Sequence, residues 1–110
     1  MIIVVIVAST WGLLRDSLRL TLDGVPVGID VHKVREYLSK LKEVTAIHDL
    51  HIWAMSTTEA AMTVHLVVPE GGNDDFLGKV KHDLHHNFNI IHTTIQIEKS
   101  GDDIICAQKC

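Results

Sequence analysis

The 110-residue chain carries only two cysteines, Cys106 and Cys110, both at its extreme carboxy-terminal end. No disulfide framework can staple a fold from there. Basic residues give no excess either: 10 Lys plus Arg stand against 14 Asp plus Glu, for a formal charge of −4 at pH 7. A nucleic-acid binder carries a basic face or stripe, so that class is excluded. No glycine-rich phosphate cradle is present, and no Ser-His-Asp or Cys-His arrangement has catalytic spacing, so no enzyme is expected. No apolar run reaches the ~20 residues that cross a bilayer alone. With 46% hydrophobic and 22% charged residues the chain is globular rather than disordered, and its length suits a single domain with one core. Histidine is what is plentiful: eight residues, nearly matching all Lys and Arg together. It is the commonest metal ligand among side chains, which makes metal or proton chemistry the first question.

Residues 2–8 are almost purely aliphatic, and the apolar character continues to Leu14. Three readings compete: a buried first strand, a weak signal or anchor peptide, and the cytoplasmic end of a membrane helix that begins upstream. The stretch lacks the basic start and small-residue cleavage site of a secretory signal. Arg15 and Arg19 follow it directly, as basic residues do on the cytoplasmic side of a membrane helix. Leu14, Leu18 and Leu22 continue at helical spacing, and Gly24 with Pro26 ends the run. The expectation is a helix leaving a bilayer, with its linker, over residues 1–26.

The remainder reads as one compact domain over 27–99. Asp30 is the expected N-cap of a helix carrying Val31, Val34, Leu38 and Leu41 at helical spacing. A strand follows from Val44 to Met55, and a second from Ala61 to Val68 with Met62, Val64 and Leu66 on one face. The run Pro69-Glu70-Gly71-Gly72-Asn73 is a loop, and Phe76, Leu77, Val80, Leu84 and Phe88 then form one helical stripe. A third strand from Ile90 to Glu98 alternates, Ile91, Thr93, Ile95 and Ile97 against His92, Thr94, Gln96 and Glu98. The order α-β-β-α-β predicts an α+β fold: a ferredoxin-like open sheet lacking its first strand, with both helices on one face. Residues 100–110 form a tail to which no structure is assigned.

Strand parity places His65 and His92 on the face away from the helices. On the first strand His48 falls with Leu50 and Ile52, whereas Asp49 and His51 fall with Trp53. One of His48 and His51 joins the open face unless a bulge alters the register. Imidazoles on three adjacent strands make a zinc-type ligand set, which a carboxylate or a partner chain would complete. A single strand histidine is more often a hydrogen-bonded or surface residue; three on one face weigh against that. His82, His85 and His86 sit on the polar side of the second helix at a spacing that also suits a metal, although such residues usually form a solvated face. His32, beside a helix start, reads as structural or exposed. Cys106 and Cys110 are four apart, and one such pair alone is a weak metal signal. A copper chaperone on this fold would carry CxxC before the first helix, and residues 25–30 hold no cysteine.

Three stretches resemble the cation diffusion facilitator family of divalent-metal efflux transporters, in its zinc/cobalt/cadmium-resistance branch. Ser9, Trp11, Leu13-Leu14-Arg15-Asp16-Ser17 and Leu22-Asp23-Gly24-Val25-Pro26 are similar to the end of that family's last membrane helix and its linker. His48-Asp49-Leu50-His51-Ile52-Trp53 resembles the signature HxLHIW, and His92-Thr93-Thr94-Ile95-Gln96-Ile97-Glu98 resembles the carboxy-terminal strand HxTIQxE. The resemblance implies a cytoplasmic domain that forms a homodimer and binds metal beneath a membrane transport domain working by metal/proton exchange. It implies His48, His65 and His92 as metal ligands, with His51, Glu98, Cys106 and Cys110 as further candidate donors. Zn2+, or Co2+ or Cd2+, is the metal implied. Thr94 stands where some members carry a carboxylate, so the fourth ligand is open. The family's transport site lies on earlier membrane helices that these residues do not include. The alternatives are a stand-alone soluble metal-binding module and a purely structural dimerisation module.

Overall fold

The computed structural model describes residues 1–99. Its elements run α1 (Ile2–Thr21), α2 (Val31–Ser39), β1 (Ala46–Ala54), β2 (Ala60–Val67), α3 (Asp74–Phe88) and β3 (Ile90–Glu98). The Cys106 and Cys110 tail lies outside the described residues.

The helices begin and end where their sequences dictate. The Asp30 carboxylate accepts from the His32 and Lys33 amides, at 2.9 and 3.4 Å, and so satisfies donors that the first turn of α2 leaves open. Asn73 does the same for α3, accepting from the Phe76 amide at 2.8 Å. Asp74 and Asp75 occupy the first turn of α3, matching the sign that the helix dipole favours there. Asn89, in the left-handed conformation at φ 55°, stops α3 and turns the chain into β3.

The sheet has the order β1-β2-β3, with β1 and β2 antiparallel and β2 and β3 parallel. This is the expected ferredoxin-like sheet without its first strand. In the complete split βαβ arrangement another strand separates the two strands joined by the second helix. Here β2 and β3 pair directly, so α3 becomes a plain crossover between parallel neighbours. Both helices pack on one face: Val34 and Leu38 of α2, and Val80 and Leu84 of α3, join Leu50, Ile52, Met62, Val64, Leu66 and Ile90 in one buried cluster. Leu38, Met62, Leu66 and Leu84 are fully buried, and such a side chain contributes roughly 1.5–3 kcal/mol through removal from water. The Tyr37 hydroxyl ties the helices together by donating to Asp83 Oδ2 at 2.7 Å, and its ring lies 5.8 Å from that of Phe88.

One sequence expectation changes here. Ile91 does not share the core face with Ile95 and Ile97; it is 43% exposed, while Ile90 is fully buried. The register between β2 and β3 shifts between Ala60 and Ala61, so Ile91 is the extra residue and alternation starts only at His92. The amino-terminal apolar stretch is the helix α1, and none of its residues is buried. Its Ser9, Thr10 and Thr21 hydroxyls bond back to carbonyls three or four residues earlier. Among the described residues no helix is long and apolar enough to cross a membrane. The last turns of α1, with Arg15, Asp16 and Arg19, are what break the apolar run.

Candidate metal centre

The sheet face turned away from the helices carries the histidines, and the register decides which of them meet. Along β1 the partners jump: His48 lies opposite His65, yet His51 lies opposite Thr63. Asp49 and Leu50 are accommodated between those pairs in a bulge, with Asp49 in the left-handed region at φ 47°. In a regular strand residues 48 and 51 point to opposite faces. The bulge reverses the parity between them, so both histidines share the open face with Thr63 and His65, while Leu50 and Ile52 are buried in the core.

His65 is the centre of the resulting cluster. Its Nδ1 lies 2.9 Å from Glu98 Oε1 and 4.0 Å from Asp49 Oδ2. Gln96, opposite His65 on β3, donates through Nε2 to the same Glu98 oxygen at 3.4 Å. The Glu98 side chain is only 9% exposed, so its carboxylate is held rather than freely solvated. In the tautomer where His65 Nδ1 donates to this carboxylate, Nε2 is the ring nitrogen left open. Two carboxylates within reach of one imidazole also make the patch attractive to a cation.

His92 stands elsewhere on the same face. It pairs with Ala61, four residues along β2 from His65, which separates the two by about 13 Å at the rise of a strand. Within one chain the structure pairs His48 with His65 across the strands and sets Glu98 and Asp49 beside His65, and it does not bring His92 to them. His51, exposed, lines a shallow groove with Asp23, Val25 and Trp53. Among the described residues no group of three or more His, Cys, Asp or Glu side chains is arranged to hold a metal ion as it stands. Asp49 was not among the residues singled out from the sequence. The signal was present, because two histidines three apart on one strand cannot share a face without a bulge.

The fold and this face define a class: a small α+β domain with an open sheet whose bare side gathers imidazole and carboxylate donors. Residues 26–100 match the family described as "Cation efflux protein, cytoplasmic domain", and the chain belongs to that family. It is 41% identical over 97 residues to a probable zinc transporter protein of Dictyostelium discoideum, covering 87% of this chain and 18% of that protein. It is 32% identical over 108 residues to a proton-coupled zinc antiporter of Mus musculus, covering 97% and 29%. It is 38% identical over 95 residues to the metal cation efflux system protein CzcD of Cupriavidus metallidurans, covering 84% and 30%. The chain thus spans between 18% and 30% of the length of these relatives. Among solved structures, the metal-bound carboxy-terminal domain of CzcD from the same organism superimposes with a TM-score of 0.57 at 36% identity, over 64% of this chain and 99% of that one. The zinc form of the putative zinc transporter CzrB shares the fold, with a TM-score of 0.57 at 20% identity over 74% and 97%.

Proposed function

We propose that this domain is the metal-sensing, self-associating cytoplasmic part of a divalent-cation efflux transporter that exports zinc, or cobalt or cadmium, in exchange for protons. In this reading α1 is the cytoplasmic end of the last membrane helix, residues 27–99 are the sensing domain, and the tail with Cys106 and Cys110 takes no required part. The observation that carries the reading is the cross-strand pair His48–His65 with Glu98 on Nδ1 of His65. A carboxylate on the far nitrogen of a ligating histidine fixes its tautomer and orientation and raises its basicity. Imidazole nitrogens with carboxylate support suit zinc-type ions better than calcium or magnesium, which take oxygen donors. One protomer offers His48 and His65 as ligands; a second protomer, laid against the bare sheet face, supplies the rest of the coordination. His92 and His51, elsewhere on that face, would serve the partner. Metal that bridges two protomers favours one dimer arrangement, and only that differential affinity can shift the transporter above it. Nothing in this role is catalytic.

Zinc at about 100 times its dissociation constant should stabilise the folded chain by about 2.7 kcal/mol, read as a raised thermal midpoint. Replacing His48 and His65 by Asn should remove most of that rise. An undiminished zinc response in the double variant overturns the ligand set.

A further inference from the structure

We infer that His82 and His86 on α3 form a second metal site, for an imidazole-seeking divalent ion such as Zn2+, Ni2+ or Cu2+, separate from the sheet face. The two residues lie one turn apart and both are exposed. Their rings already face each other, with centres 6.0 Å apart and planes at 24°. Two imidazoles bound to one ion at 2.0–2.1 Å and near the tetrahedral angle hold their ring centres about 5 Å apart. Closing the chelate therefore needs roughly 1 Å of approach, which rotation of two exposed side chains supplies. The same i, i+4 spacing on a helix is the one by which paired histidines hold zinc elsewhere.

The position within the helix adds to this. His85 and His86 occupy the last turn of α3, where the uncompensated carbonyls carry partial negative charge and favour a cation. Lys79 and Lys81 precede the pair and oppose a cation, so the site is the weaker of the two. Asp83, the carboxylate between the histidines, is committed to the Tyr37 hydroxyl across the helix pair and points to the α2 side. The buried side of α3, Val80 and Leu84, packs onto the core face of the sheet. The whole thickness of the domain thus stands between this pair and the His48–His65–Glu98 cluster, and the two sites cannot share one ion.

The test is zinc stoichiometry by isothermal titration on the untagged 110-residue chain with its cysteines alkylated. The comparison is between the parent, H82Q/H86Q and H48N/H65N. Gln is a better helix former than His, so H82Q/H86Q does not weaken α3. Loss of about one weakly bound equivalent in H82Q/H86Q, retained in H48N/H65N, is the expected result. Unchanged stoichiometry in H82Q/H86Q overturns the helix site, as does loss of all binding in H48N/H65N. A full zinc response in H48N/H65N that vanishes in H82Q/H86Q leaves the helix site standing and removes the sheet site instead.

Discussion

At the scale of single residues, Asp49 and Glu98 do the most to shape the open face. A non-glycine residue at φ 47° is tolerated where the side chain is Asp or Asn, and strained where it is β-branched. Asp49→Gly should therefore leave stability nearly unchanged in urea unfolding, whereas Asp49→Val should cost about 1–3 kcal/mol. The Val variant should also lose zinc affinity, because relaxing the bulge turns either His48 or His51 away from the open face; a variant with the parent's midpoint and affinity contradicts the assigned register. In the proposed site Glu98 acts through His65, so Glu98→Ala should weaken zinc binding by about 10- to 100-fold, with Glu98→Gln intermediate because its amide oxygen can still accept from Nδ1. Equal affinity in all three forms would show that the carboxylate does not orient the ring. The parity conflict in His48-Asp49-Leu50-His51 was legible in the sequence, but its resolution was not. Which residue takes the left-handed conformation depends on the burial of Leu50 and Ile52 beneath it, a tertiary condition.

At the scale of elements, the helices and strands were readable because each obeys a local rule. Asp30 and Asn73 cap, Gly71-Gly72 breaks, and the apolar residues recur at the right period. Their bounds moved by a residue or two, as in β1, which runs Ala46–Ala54 rather than from Val44 to Met55. The placement of His92 was not readable, since a strand's sequence shows its alternation but not its offset against a neighbour. That offset is set by Ile90 seeking the core, which pushes Ile91 out and leaves His92 beside Ala61. α1 contributes no buried residue, and the core cluster together with the side chains packed against it begins at Ile29. Removing residues 1–22 while keeping Gly24, whose carbonyl accepts from the Ala54 amide at 3.2 Å, should leave the thermal midpoint within a few degrees of the parent. It should also raise solubility, because most of the exposed large apolar side chains belong to α1. By contrast, Leu84→Ala, at a fully buried position, should cost about 2–5 kcal/mol. A truncated chain that unfolds far below the parent would show that α1 supports the domain after all.

At the scale of the whole molecule, stability should depend on pH through two limbs of different origin. Burial, and then the hydrogen bond to Asp83 and that carboxylate's charge, push the Tyr37 phenol up from its ordinary value. A group whose folded pKa is raised stabilises the protein fully below its unfolded pKa, about 10 for tyrosine, and loses that contribution as pH climbs toward the folded value. The metal-free chain should therefore lose thermal stability on the alkaline side, and Tyr37→Phe should flatten that limb while lowering the neutral midpoint by the loss of one hydrogen bond, about 1–2 kcal/mol. In the proposed function the acid limb belongs to the metal. Imidazole ligates only when neutral, so zinc entry displaces protons and zinc-dependent stabilisation must fade as acid returns them. The sign is opposite to that of Tyr37: the zinc increment is present at neutral and higher pH and disappears on acidification. Glu36, drawn below the usual carboxylate range by the hydrogen bond and charge of Lys40, lies on the exposed side of α2, where such a pair is screened by salt and does not set either limb. Thermal midpoints measured across pH with and without zinc, in the parent, Tyr37→Phe and His48→Asn/His65→Asn, separate the two. The histidine variant should keep the alkaline limb and lose most of the zinc increment. A zinc increment that survives acidification in the parent would place the metal on ligands other than imidazole.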